Sequence, residues 1–472
     1  MTKEIRVNGF AIHSPVHLSP GLWRHPRDRS LEFSTLDYWT DVARILERGK
    51  FDALFIADSI SIHDIYQGNA DASLRRAVQL PKHDPTLLVS AMALVTEHLG
   101  FGITGSVSYE APYIFARRFS TLDHLTKGRV AWNIVTNFSD AGARAVGRTG
   151  VKAHDLRYDI ADEFLDAVYA LWEGSWADDA RVADRASGVF ADPARIRKVV
   201  HRGEHFQFEG VNIVDPSPQR TPFLFQAGTS HRGKDFAARH AEAVFLSDPS
   251  QANVARNVAD TRTRAAGLGR DPNDIKLFSL VTVIVDETEA AAHAKYRDYQ
   301  RYIDIEGSLA LLSGWSGIDL SQYALDDPFP TKKKDNAVTS MIDSFTGAEK
   351  VWTIREVVTH NTIGGRGPVV IGTPAQVADA LQGWMDETDI DGFNLSYAVT
   401  TEGYSDFADL VVPELQRRGL YKTDYAAGTL REKVFGRGRL LPDTHPAARF
   451  RAALADLDGT RRDEASTGLA ST

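Results

Sequence analysis

Lys127-Gly128-Arg129-Val130-Ala131-Trp132-Asn133-Ile134-Val135-Thr136-Asn137 reads as a basic turn feeding a β-branched and aromatic run that stops at two small polar residues. The run is too short for an ordinary helix and shows no strict apolar–polar alternation, so it predicts a strand covered on both faces, as in a parallel sheet. Polar chemistry is then expected at its carboxyl end, at Thr136 and Asn137.

Working outward, seven more short apolar runs lie at 6–11, 53–57, 100–106, 223–227, 243–246, 277–285 and 392–397, most followed by a polar or glycine-containing turn and a helical pattern. The segments 36–48, 85–98 and 112–125 carry apolar residues at i, i+3 and i+4, and each lies between two candidate strands. The second opens on Asp84-Pro85, a cap followed by a first-turn proline. Eight strands alternating with helices predict an α/β protein, a (β/α)8 TIM barrel. Such a barrel needs about 250 residues, so a chain of 472 must carry long insertions. They are expected near 173–221 and 286–368 of a single barrel domain spanning 1–421. Past Gly419 the composition shifts to Gly, Arg, Asp and Thr, which predicts an extended C-terminal arm over 422–472, of the kind that wraps a partner subunit.

Composition narrows the partners. A net charge of -9 argues against nucleic acid, and the compact basic run Lys332-Lys333-Lys334 is followed by Asp335, as in a solvated loop. Residues 1–10 lack the apolar core of a signal peptide, and no apolar run approaches the roughly 20 residues of a membrane span. A cytoplasmic protein without membrane attachment is expected. The chain has no cysteine, so it forms no disulfide, thiolate zinc site or iron–sulfur cluster, and redox chemistry must come from a bound cofactor.

The strand tips can be read directly: Asp58 on the second run, Thr104 and Ser106 on the third, Thr136 and Asn137 on the fourth, Gly228-Thr229-Ser230 on the fifth. This set is polar but mostly neutral. It suits hydrogen bonds to a heteroaromatic ring and a phosphate tail better than a metal cage, which wants clustered His and carboxylates. Gly228 to Lys234 spells a near P-loop at a strand-to-helix turn, but the next residue is Asp235 where magnesium binding needs Ser or Thr. A phosphate anchor without hydrolysis follows. His154-Asp155-Leu156-Arg157-Tyr158, placed in the loop before a helix at 161–172, offers an imidazole and a phenol on one face and a guanidinium for a phosphate. A solvated helix start, with Asp155 and Asp159 complementing the dipole, accounts for these residues equally well.

Three of these motifs, 127–137, 154–158 and 226–230, together with Leu46-Glu47-Arg48-Gly49-Lys50-Phe51-Asp52 leading to Ile56-Ala57-Asp58, resemble the bacterial-luciferase-like flavin monooxygenases, in the branch that includes nitrilotriacetate and dibenzothiophene-sulfone monooxygenases. Trp23-Arg24-His25-Pro26, Pro216-Ser217-Pro218-Gln219-Arg220-Thr221-Pro222 and Asp391-Gly392-Phe393-Asn394-Leu395 carry the likeness further, over about 6–425. The resemblance implies a barrel binding FMN as FMNH2 at the carboxyl ends of its strands, delivered by a separate NAD(P)H:FMN reductase, and reaction of the reduced flavin with O2 to a C4a-(hydro)peroxide. By matching position, Asp58 and Thr104 would border the ring and Asn137 its edge. His154, Tyr158 and Ser230 would take the ribityl phosphate side, assisted by the backbone of Ala227, Gly228 and Thr229. Asn137 stands where many relatives have serine. Phe10, Phe55 and Trp315 are candidate pocket walls, although aromatic residues within strands often only pack. His17 is the candidate hydrogen-bonding or acid/base group. The glycines of Leu312-Ser313-Gly314-Trp315-Ser316-Gly317 suggest a hinge-bearing lid.

With no cluster of cations at the strand tips, a small apolar or weakly polar substrate is expected, and the resemblance implies an organosulfur compound such as dimethyl sulfide. Alternatives are the same chemistry on a larger sulfone, sulfonate, haloaromatic or aminopolycarboxylate, an F420- or nicotinamide-linked oxidoreductase, and a non-catalytic flavin-binding protein. A homodimer or homotetramer is expected.

Overall fold

The computed structural model describes residues 3–228, 230–330 and 351–454. Eight parallel strands close on themselves: β1 (Arg6–Ile12), β2 (Ala53–Ala57), β3 (Gly100–Ser106), β4 (Val130–Val135), β9 (Phe223–Gln226), β10 (Ala243–Leu246), β11 (Lys276–Val285) and β13 (Gly392–Ser396). Closure is made by β1, which pairs with β2 through Phe10 opposite Phe55 and with β13 through Asn8 opposite Asn394. The expected (β/α)8 barrel is present, with each of the eight runs ending within one residue of its strand.

The missing alternation in 130–135 has a simple cause. Val130, Trp132 and Ile134 point outward into the aliphatic and aromatic layer beneath the helices, while Ala131 faces the barrel lumen with Phe55, Phe223 and Phe225. Both faces are buried, so apolar residues stand on both, with Asn133 the polar exception on the lumen side. The preceding turn places Lys127 (φ 55) and Gly128 (φ 81) in left-handed conformations. A Cβ at Gly128 would lie 2.4 Å from Thr429 Cγ2, so glycine is needed for the approach as well as the torsion.

The basic character of that turn is structural. Arg129 is buried and donates to the carbonyls of Ala93, Thr96 and Leu99 at 3.0, 3.1 and 3.1 Å. Across from it, one Glu47 oxygen accepts the backbone N–H groups of Glu97, His98 and Leu99 at 2.8, 2.5 and 3.1 Å. These side chains satisfy a backbone that has left the helix, so the helix expected over 85–98 is a 3-10 turn, Pro85–Leu88, and a short helix, Val89–Leu94. Asp84 caps it as predicted, accepting from the Thr86 N–H. The helix expected at 161–172 is longer, His154–Gly174, so the His154 cluster forms its first turns instead of a preceding loop.

Within 173–221 are two antiparallel hairpins, β5 (Arg181–Asp184) with β6 (Val189–Ala191) and β7 (Val199–Arg202) with β8 (Gln207–Gly210). The region 286–368 contributes helices Glu289–Gln300, Ile305–Ser316 and Ile354–Thr362, and its lysine run at 332–334 lies outside the described residues. After it, β12 (Val369–Gly372) extends the sheet along the far half of β11.

Over its described part, 422–454, the expected arm does not extend. Tyr425 donates to the Phe51 carbonyl at 2.7 Å, the Leu430 N–H to the Gly128 carbonyl at 2.8 Å, and His445 Nε2 lies 2.9 Å from the His240 carbonyl. Leu430 and Val434 pack into the lumen cluster, so helix Leu430–Phe435 plugs the amino end of the barrel. The polar composition past Gly419 conceals this because only a few apolar residues carry the contact.

Candidate active site

A cavity of about 360 Å³ opens at the carboxyl ends of the strands. Phe10, His17, Phe55, Asp58, Thr104 and Asn137 line it from β1 to β4 and the loops that follow them. His154, Tyr158, Ala227, Gly228, Ser230 and Trp315 line it from the surrounding elements. Thr229 lies outside the described residues.

One wall is polar. Asn137 takes a left-handed turn (φ 53) that asparagine tolerates, and its side-chain amide donates to Ser106 Oγ at 2.5 Å. Its carbonyl accepts a hydrogen bond from Arg157, so that guanidinium serves the β4 loop and not primarily a phosphate, contrary to expectation. The Arg157 Nε nevertheless remains buried at the cavity without a partner among the described residues. Burial pushes the Tyr158 phenol up, and its hydroxyl faces those of Ser230 and Thr136. His154 opens the helix, with Nδ1 2.7 Å from its neighbour Asp155. Ser230 caps helix His231–His240, accepting from the Gly233 N–H at 3.0 Å.

Two glycines make room there. A Cβ at Gly228 would meet Gln226 Nε2 at 2.4 Å and the Tyr158 hydroxyl at 3.0 Å, and one at Gly233 would meet the same hydroxyl at 2.7 Å. The near P-loop is not one, since Lys234 is bound to Asp260 at 2.9 Å and Asp235 pairs with Arg264.

The opposite part of the cavity is apolar. Phe10 sets its ring edge-on to Phe55 at 5.5 Å and to Phe245 at 4.8 Å, with Leu18, Leu280 and Trp315 completing the chamber. Trp315 is not on a glycine hinge. It belongs to helix Ile305–Ser316, which ends in a left-handed Gly317 (φ 69), and Gly314 is small because a Cβ there would lie 2.0 Å from His63 Nδ1.

Between the two parts stand the titratable groups. His17 lies 4.3 Å from the Phe10 ring, and its Nδ1 has no hydrogen-bond partner among the described residues. Burial pushes it down to about 3 despite the accepting Phe10 carbonyl, so the ring is neutral near pH 7 and cannot act there as a cationic acid. An NMR titration should place its midpoint near 3, and a midpoint at the ordinary 6.5 would contradict the burial. The sign for stability follows: the folded ring binds its proton less tightly than the unfolded one, so this group costs nothing above 6.5 and weakens the fold increasingly as pH falls toward about 3. Burial pushes the Asp58 carboxyl up to about 6, opposed by Lys82. Thr104 Oγ1 donates to the Ile56 carbonyl at 3.0 Å and accepts from Asn133 Nδ2 at 2.8 Å.

Several lining residues escaped sequence reading. Gln226, inside the strand-to-helix motif, has a buried Oε1 without a partner among the described residues, as has Asn133 at its Oδ1. His63 and Gln79 join at 3.2 Å, and Gln79 donates to the His17 carbonyl at 3.0 Å; nothing local marks either. Arg366 lies 5.7 Å over the Trp315 ring, and burial lowers it to about 10. Its only signal is the preceding pair Gly364-Gly365, both with positive φ. Among the described residues no group of three or more His, Asp or Glu is placed to hold a metal ion, and no helix is long and apolar enough to cross a membrane.

The profile of the luciferase-like monooxygenases matches residues 15–391. The chain belongs to that family. This flavin-dependent monooxygenase is 46% identical over 457 residues to the dimethyl-sulfide monooxygenase of Hyphomicrobium sulfonivorans, covering 96% of this chain and 95% of the relative. It is 44% identical over 452 residues to the long-chain alkane monooxygenase of Geobacillus thermodenitrificans (strain NG80-2), covering 96% and 99%. Its fold superposes with a TM-score of 0.89 on the crystal structure of a riboflavin lyase with modified FMN and riboflavin, at 35% identity and coverage of 95% and 100%.

Proposed function

We propose that this monooxygenase uses FMN as FMNH2, received from a separate NAD(P)H:FMN reductase, to oxidise a small organosulfur compound such as dimethyl sulfide with O2. The observation that carries the proposal is the division of the cavity into a polar wall around Tyr158, Gly228 and Ser230 and an aromatic chamber around Phe10, Phe55 and Trp315. The residues fit the cofactor. Buried Asn133 Oδ1, Gln226 Oε1, Arg157 Nε and His17 Nδ1, unpartnered among the described residues, all belong to cavity-lining side chains and suit a ligand bearing both donors and acceptors. Glycines at 228 and 233 leave the room that a phosphate end needs beside Tyr158 and Ser230.

In this reading Tyr158, Ser230 and the backbone of 227–229 bind the phosphate end, with His154 at its rim. Asp58, Thr104 and Asn137 border the ring, and Phe10, Phe55 and Trp315 keep water from the substrate. Bound reduced flavin supplies the activation of O2. Neutral His17 offers a hydrogen-bonding nitrogen at the boundary of the two parts. For dimethyl sulfide, hydroxylation of one methyl group consumes O2 and FMNH2 and releases methanethiol, formaldehyde, FMN and water. A second reading, the same chemistry on a sulfonate or carboxylate, is favoured by one observation: Arg366 lines the chamber beside Trp315. Assembly as a homodimer or homotetramer and a cytoplasmic location belong to the same proposal. The assembly rests on the family resemblance and not on 422–454, which packs on its own barrel.

The test is sealed-vial turnover with a flavin reductase, FMN, NADH and air. Loss of dimethyl sulfide with matching formaldehyde, requiring both proteins, is expected. Reductase-dependent peroxide without loss would reject dimethyl sulfide and favour sulfones, sulfonates and haloaromatics. Substrate loss that persists when air is excluded would overturn the monooxygenase chemistry.

A further inference from the structure

Lys82 stands behind the cavity wall, not in it. It lies on a loop, 79–84, that is tied to the carboxyl ends of two strands: Gln79 Nε2 donates to the His17 carbonyl at 3.0 Å, the His83 N–H donates to the His13 carbonyl at 2.9 Å, and Lys82 reaches the turn after β2. There its ammonium donates to both the carbonyl and the hydroxyl of Ser59, at 2.9 and 2.8 Å. The Ser59 N–H in turn donates to Asp58 Oδ1 at 2.8 Å. Asp58 and Ser59 both line the cavity. A single cation thus fixes the corner from which Asp58 faces the site.

Its charge acts in the same place. The charged groups facing Asp58 are Lys82 and Asp84, both from this loop. Asp84 is occupied as a helix cap, accepting from the Thr86 N–H at 2.8 Å. His17 and His63, from the loops after β1 and β2, are both held neutral near pH 7 by burial, and Lys82 lowers each further. Charges in so poorly solvated a place interact far more strongly than in water.

We propose that Lys82 is a positioning residue for the flavin ring: through Ser59 it orients Asp58, and by its charge it keeps that carboxylate ionised toward the cavity. The proposal rests on the reading that Asp58 borders the ring. Without Lys82, burial and Asp84 would act on Asp58 against the Ser59 N–H only, so protonation would reach further into the neutral range.

The test measures the pH dependence of anaerobic FMNH2 binding by the full chain, and the titration of Asp58 by carbon NMR in the flavin-free protein. Wild type should show a binding limb near pH 6, where Asp58 titrates. Lys82→Met should move both the limb and the NMR midpoint up by about one unit, and Lys82→Arg should restore most of the shift. Asp58→Asn should keep only the pH dependence of the ligand's own groups, whose phosphate titrates at about 6, and be indifferent to a second change at Lys82. An unmoved Asp58 midpoint in folded Lys82→Met overturns the role of Lys82 alone. Absence of FMNH2 binding by wild type, or a pH profile in Asp58→Asn identical to that of wild type, overturns the flavin-ring reading and the proposal with it. Should Lys82→Met not fold, Lys82→Gln removes the charge in its place, and an unmoved Asp58 midpoint in folded Lys82→Gln overturns the proposal.

Discussion

Arg431→Met is expected to lower the unfolding free energy by about 3–5 kcal/mol, although the residue lies at the opposite end of the barrel from the cavity. Arg431 is 1% exposed, and it meets Glu242 through two contacts, Nε to Oε1 at 2.5 Å and Nη2 to Oε2 at 2.8 Å. The same guanidinium donates to the carbonyls of Arg439 at 2.7 Å and Thr221 at 2.9 Å, so it ties the C-terminal helix to β9 and β10. Burial works against its charge, but Glu242 more than offsets this and raises its pKa. Methionine would leave a buried carboxylate without its cation and several carbonyls without a donor, which costs more than the pair itself contributes. Urea unfolding should show a lower midpoint at an unchanged slope. The double change Arg431→Met with Glu242→Gln should recover part of the loss, because no bare charge remains. A midpoint equal to wild type would show that the helix is not held by this pair.

Tyr158→Phe should weaken FMNH2 binding by about 10- to 100-fold, corresponding to the roughly 1.5–3 kcal/mol of a hydrogen bond to a charged group, while leaving the fold intact. The ring packs against Phe236 at 5.5 Å and stays packed in phenylalanine; only the hydroxyl facing Ser230 is removed. Ser230→Ala is a less clean partner experiment. Ser230 also caps helix His231–His240, so its loss should add about 1 kcal/mol of destabilisation, visible in unfolding as well as in binding. Equal FMNH2 affinities for wild type and Tyr158→Phe, measured anaerobically, would remove the phosphate end of the cofactor from this wall.

Much of this molecule was legible in its residues. Local sequence determined the eight strands, because each run is β-rich, short and bounded by turn residues, and parallel strands buried on two faces need no information beyond their own composition. It also determined where the chemistry sits, since a barrel strand that ends in Thr136-Asn137 or Gln226-Ala227-Gly228 can only present those groups at one end. The tertiary structure decided what each polar group is free to do. Arg157, a plausible phosphate ligand by sequence, is engaged by the Asn137 carbonyl, and Lys234 by Asp260. Gly314 is a close contact to His63 and not a hinge, and the polar C-terminal segment is a plug because Arg431 finds Glu242 at a separation of 189 residues. Arg366, Gln79 and His63 line one cavity, with Lys82 behind its wall, from loops with no shared pattern. Strand formation is a local property of burial and backbone preference, whereas the partner of a charge is chosen by the fold, which brings distant side chains into a space where an unpaired ion is too costly to keep.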